Sequence, residues 1–95
     1  QIQALGNAGD VAIAISTSGN SANVVRALEI CRSLGIHTVG LTGGSGGAMA
    51  SLVEHLLCVS ATAVTPRIQE THILVGHVIC EIVEQRLVET ESGGV

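Results

Sequence analysis

An α/β domain built on a parallel sheet is the fold this chain predicts, on three observations. Short runs rich in β-branched residues alternate with longer segments of helical periodicity. Polar or glycine-rich loops stand where those runs end. The residues available to fill an interior are Val, Ile, Leu and Ala, with no Phe, Tyr or Trp anywhere in the chain. Strictly alternating strands and helices imply right-handed crossovers between parallel strands.

Each element follows from its residues. Residues 1–9 read as the end of a helix and a turn, with Gly6, Asn7 and Gly9 as breakers. Val11 to Ile15 is an unbroken apolar run, the pattern of a strand buried on both faces. Ser16 to Asn20 is a loop, and Ser21 to Leu34 a helix. There Val24, Val25, Leu28, Cys31 and Leu34 recur at helical spacing, while Arg26, Glu29 and Arg32 face outward. Gly35 stands where a left-handed cap ends the helix. Ile36 to Leu41 is a second strand, and Thr42 to Gly47 reads as a mobile connection. Ala48 to Val53 is a short helix and His55 to Val59 a third strand. After a loop over 60–65, Pro66 opens a last helix at a first-turn position that tolerates it. That helix runs to about Glu89, and Thr90 to Val95 is a tail without hydrophobic pattern. Three strands make a small sheet with exposed edges, so further strands and helices are expected upstream or from another subunit. The lack of a starting Met fits a segment within a longer protein.

Composition excludes several function classes. The chain is 46% hydrophobic and 13% charged, too apolar for disorder. Its longest apolar runs are of strand length, too short for a membrane span. No charged and apolar leader opens it. The net charge of −4 gives no electrostatic footprint for nucleic acid or an anionic membrane. Without aromatics, base stacking is unavailable. All the basic residues are arginines (Arg26, Arg32, Arg67 and Arg86), so the segment has no lysine for a Schiff base or a P-loop. Cys31, Cys58 and Cys80 are widely spaced in apolar surroundings. They read as small core residues of a reducing compartment, the cytoplasm, rather than as a zinc or redox motif.

Two clusters carry chemistry. In an open parallel sheet, ligands bind beyond the carboxyl ends of the strands. The loop Ser16-Thr17-Ser18-Gly19-Asn20-Ser21 lies there. It offers hydroxyls from Ser16, Thr17, Ser18 and Ser21, an amide from Asn20 and, at Gly19, room for close approach. The following helix points its free N–H groups and positive dipole end at the same spot. Hydroxyl donors beside a helix N-terminus suit a phosphate monoester. An ordinary turn would need only Asn20 or Ser21 as its cap, which leaves the other hydroxyls unexplained. The second cluster opens the last helix: Gln69, Glu70, His72 and His77. Gln69 and His77 differ by about 80° and about 12 Å along the helix, within reach of one shared ligand or metal. His72 and His77 are about 140° apart and make poor partners. Glu81, one turn beyond His77, could accept its second ring proton. His37, His55 and His72 read as partly buried residues with local hydrogen bonds. Gly76 lowers helix stability beside His77, which points to the close approach of another group.

Strand-Ser-Thr-Ser-Gly-Asn-Ser-helix resembles the phosphate loop of the sugar isomerase (SIS) family. Taken with Gly9-Asp10-Val11 and Arg67-Ile68-Gln69-Glu70-x-His72 to His77, the pattern is similar to the phosphoheptose isomerases of that family. The resemblance covers residues 9–89 and places 1–95 as the carboxyl-terminal portion of a single SIS domain. It implies a three-layer α-β-α sandwich of flavodoxin-like type and a homotetramer with sites at subunit interfaces. It further implies conversion of sedoheptulose 7-phosphate to glycero-manno-heptose 7-phosphate, towards lipopolysaccharide heptose. Ser16, Thr17, Ser18 and Ser21 would hold the phosphate. His77 would be one acid/base residue, with its glutamate partner outside this chain, so the segment alone should be inactive. Gln69 and His77 would ligate a zinc ion, one per site. Pro66 stands where some of these enzymes have an aspartate against sugar hydroxyls, and that contact is not carried over. The alternative is a non-catalytic SIS relative that senses a phosphosugar or regulates a partner such as a replication initiator. Gln69 and His77 favour the enzyme.

Overall fold

The computed structural model describes residues 1–93, and side chains as far as Thr90. Its elements are α1 (Ile2–Leu5), β1 (Val11–Ile15), α2 (Ala22–Leu34), β2 (His37–Gly43), a 3-10 helix (Ala48–Ser51), β3 (His55–Val59) and α3 (Thr65–Gly93). The strands form one parallel sheet in the order β1-β2-β3. Val11 pairs with His37 and Ile15 with Leu41. On the other side of β2, Val39 pairs with His55 and Gly43 with Val59.

The pleat sorts side chains onto two faces, and the helices follow. Ala12, Ala14 and Gly40 make one face shallow. The 3-10 helix and α2 pack there, with Leu28, Cys31 and Met49 buried. The opposite face presents Ile13, Ile15, Leu41 and Leu57 to α3, whose inward residues are Ile68 and His72. The result is the expected α-β-α layering. Gly35 closes α2 at φ 73°, the left-handed conformation expected of it.

Several details differ from the sequence reading. Strand β2 starts one residue later and runs on through Thr42 and Gly43, because both continue the ladder to β3. Only Ala48–Ser51 of the expected short helix winds, and it does so as 3-10. Helix α3 passes Glu89 and reaches Gly93. Nothing from Thr90 to Ser92 breaks a helix, and the Thr90 hydroxyl bonds the Arg86 carbonyl at 2.8 Å. The rest of the expected tail, residues 94–95, lies outside the described residues. Strand β1 is an edge strand rather than one buried on both faces, with Val11 62% and Ile15 55% exposed. Of the cysteines, Cys31 alone is a core residue; Cys58 is half-buried and Cys80 exposed, because α3 turns a long apolar side to solvent.

Candidate active site

Where β1 ends, its ladder continues for one more bond, from Ser16 N–H to the Leu41 carbonyl at 3.0 Å. The chain then turns on itself. Ser16 is 6% exposed, and its hydroxyl is the hub of the turn. It accepts from Gly19 N–H at 3.2 Å and shares a 2.8 Å bond with the Ser21 hydroxyl. The Ser18 hydroxyl oxygen accepts from Asn20 N–H at 3.1 Å and lies 3.5 Å from the Ser16 hydroxyl. Thr17 is half-buried and Ser18 exposed.

Ser21 is the N-cap of α2, yet its side chain makes no capping bond. It turns to Ser16 instead. No acidic side chain lies in the first turn of α2. The helix therefore opens with N–H groups that no side chain has taken, beside the outward hydroxyls, and its dipole end is uncompensated.

The glycine-rich segment after β2 is a clamp on this loop rather than a mobile connection. Met49 N–H donates to the Gly19 carbonyl at 3.0 Å, and Ala48 N–H to Asn20 Oδ1 at 2.8 Å. Gly19 has φ 71°, and a Cβ there would run into the carbonyl group of Gly46. Two backbones meet with no side chain between them, which is what the glycines allow. The signal was readable only as composition, because the partner loop lies more than twenty residues away in sequence.

The second cluster lies beside the first. Gln69, His72, Ile73, Gly76 and His77 of α3 line a cleft of about 470 Å³ together with Ile15, the last residue of β1. Gln69 and His77 are exposed and share this cleft, as their spacing predicts. His77 makes no hydrogen bond to Glu81 among the described residues. A Cβ on Gly76 would meet nothing within 4 Å, so no close approach among the described residues explains it. His72 is buried, with Nε2 donating to the Thr42 carbonyl at 2.8 Å. His37 and His55 open β2 and β3 at the opposite end of the sheet, where His37 pairs with Glu54 at 3.1 Å.

An amide oxygen and an imidazole nitrogen are donors that zinc accepts. Gln69 and His77 thus fit as part of a ligand set. Among the described residues, no group of three or more His, Cys, Asp or Glu could complete it.

The comparisons with known proteins agree with this geometry. Residues 2–75 match the SIS domain family. The chain is 56% identical over 87 residues to Phosphoheptose isomerase 2 of Campylobacter jejuni, covering 92% of this chain and 43% of that protein. It is 53% identical over 87 residues to the Phosphoheptose isomerase of Aneurinibacillus thermoaerophilus, with the same two coverages of 92% and 43%. Among solved structures, the phosphoheptose isomerase from Neisseria gonorrhoeae superposes with a TM-score of 0.85 at 44% identity, over 90% of this chain and 47% of that one. The chain spans less than half the length of these relatives. A parallel sheet, a hydroxyl-rich loop at the head of a helix and a match across most of the residues have one reading: the chain belongs to the SIS domain family.

Proposed function

We propose that this chain is the carboxyl-terminal part of a cytoplasmic phosphosugar isomerase that interconverts sedoheptulose 7-phosphate and glycero-manno-heptose 7-phosphate. The observation that carries the reading is Ser21. It occupies the cap position of α2, but its hydroxyl bonds Ser16 at 2.8 Å and leaves the helix end open. A doubly charged ester fits that opening. In this reading Thr17, Ser18 and Ser21 donate to the phosphate along with the first N–H groups of α2. Ser16, buried beneath them, holds the loop in shape. The names of the relatives supply the sugar.

Ketose–aldose interchange moves one proton between neighbouring carbons and another between their oxygens. It needs a base and an acid poised near neutrality. The reading gives His77 one of these roles; its support is the cleft shared with Ile15, whose successor Ser16 begins the hydroxyl-rich loop. A sugar anchored at the loop would extend along α3 towards His77. Zinc held in part by Gln69 and His77 would polarise a carbonyl when bound. The second acid/base residue is expected outside this chain. The apolar side of α3 (Leu74, Val78, Ile82 and Val83, all exposed) supports self-association, with a homotetramer as the proposed assembly.

The test is turnover of sedoheptulose 7-phosphate by the intact enzyme. His77→Asn should lower kcat by about 10²- to 10⁴-fold, the usual contribution of a positioned acid or base. The 95-residue chain alone should show none. Full activity of His77→Asn would refute its acid/base role, and turnover by the isolated chain would refute the placing of the second acid/base residue outside it.

A further inference from the structure

His72 lies between the two halves of the site and belongs to neither. It is 3% exposed and sits one turn after Gln69 and five residues before His77, lining the same cleft. Its Nε2 donates to the Thr42 carbonyl at 2.8 Å. Among the described residues, this is the sole hydrogen bond joining α3 to the sheet. A carbonyl only accepts, so Nε2 carries a proton. The other ring nitrogen, Nδ1, is buried with no partner among the described residues. An apolar side chain would fill the place without leaving an unsatisfied polar atom.

The bond reaches further than Thr42. The next residue, Gly43, is so closely packed that a Cβ there would lie 2.8 Å from the Thr17 carbonyl oxygen and 2.8 Å from Ile68 Cδ1. Thr17 belongs to the phosphate loop and Ile68 precedes Gln69. The end of β2 is therefore the joint at which the phosphate loop and the first turns of α3 meet, and His72 is the polar pin through it.

We infer that His72 is a positioning residue for the isomerase reaction. Its Nε2–H bond to the end of β2 fixes the distance from the phosphate loop to His77 and Gln69. The inference rests on the isomerase reading of the same site. Reacting groups in a near-attack geometry lose about two orders of magnitude in rate for a misplacement of about 1 Å. Loss of the pin should therefore lower kcat and leave phosphate recognition nearly intact.

The experiment compares the intact wild-type enzyme with His72→Leu and His72→Gln. Leucine fills the space without a donor, whereas the glutamine amide can reach the Thr42 carbonyl as Nε2 does. His72→Leu should lower kcat by about tenfold or more, with KM for the sugar phosphate changed by less than about threefold. His72→Gln should recover most of the loss. A kcat for His72→Leu close to wild type, or His72→Gln no better than His72→Leu, overturns the inference while leaving the isomerase reading in place. An inactive wild type sinks that reading itself, and the inference with it. Should His72→Leu fail to fold, His72→Gln and the ring ¹⁵N spectrum of the wild type decide. The spectrum should show a protonated Nε2, and the opposite tautomer overturns the pin.

Discussion

Gly19→Ala tests whether the contact between the two loops shapes the proposed phosphate site. Gly19 sits at φ 71°, where a side chain costs about 1–2 kcal/mol. The new Cβ would also run into the Gly46 carbonyl, 2.6 Å from its carbon and 3.2 Å from Gly47 Cα. Backbone cannot swing aside as a flexible side chain does, so the loops must part by roughly 1 Å, at an overpacking cost of about 1–3 kcal/mol. Together the destabilisation should be near 3 kcal/mol, a fall in Tm of about 10 °C. The displaced segment carries Ser18 and Ser21, so phosphate binding should weaken in ground and transition states alike. KM for the sugar phosphate should rise by about tenfold or more, with kcat changing less. Gly44→Ala is the control. Gly44 also has a positive φ, 60°, but a Cβ there meets nothing within 4 Å. It should cost about 1 kcal/mol and leave KM unchanged. Steady-state kinetics and thermal melts of the two variants in the intact enzyme decide the matter. If Gly19→Ala binds sugar phosphate as the wild type does, or Gly44→Ala weakens it equally, the clamp does not shape the site.

Two further expectations follow from the same structure. Ser21→Ala removes both the 2.8 Å bond to Ser16 and a donor to the phosphate. KM should rise about tenfold, the loss of one hydrogen bond to a charged group, as read by steady-state kinetics. Val88→Asp places a charge on the exposed apolar side of α3. Sedimentation of the intact enzyme should then show a smaller assembly, with activity that falls on dilution.

The alternation of elements was legible because each strand is a short apolar run closed by a breaker. Gly35 and Pro66 marked helix ends through their own backbone restrictions. The hydroxyl-rich turn was legible as a feature because so many small polar residues stand together between a strand and a helix, more than a simple cap needs. What escaped the sequence is long-range. Gly46 and Gly47 read as slack chain because their partner, Gly19, is distant in sequence. The sequence also does not show that Ser16 is buried, with its hydroxyl bonded to Ser21 and to Gly19 N–H. His72 read as an ordinary buried histidine, since nothing in its spacing shows which carbonyl it meets. The exposure of Cys80 and of the outer side of β1 reflects surface left uncovered in this chain, which residue type alone does not foretell.

That uncovered surface and the site share a helix. At 29 residues, α3 is roughly 43 Å long, whereas a five-residue strand such as β1 spans about 17 Å. The helix is longer than the strand but stays beside the sheet, where Ile79, Val83 and Leu87 share a groove with Ile13, and it leaves many Val, Ile and Leu exposed. His77 is not on a separate face: Ile73 and Val88 lie within about 40° of it around the helix axis. Any surface that buries Ile73 and Val88 must also close over His77. Burial of large apolar side chains contributes about 1.5–3 kcal/mol each, so the drive to cover α3 is far larger than any interaction His77 makes alone. In the proposed assembly the hydrophobic effect that covers α3 would also enclose His77. The hydroxyl-rich loop, by contrast, is held in shape by bonds inside the chain, from Ser16 beneath it and the glycine clamp beside it.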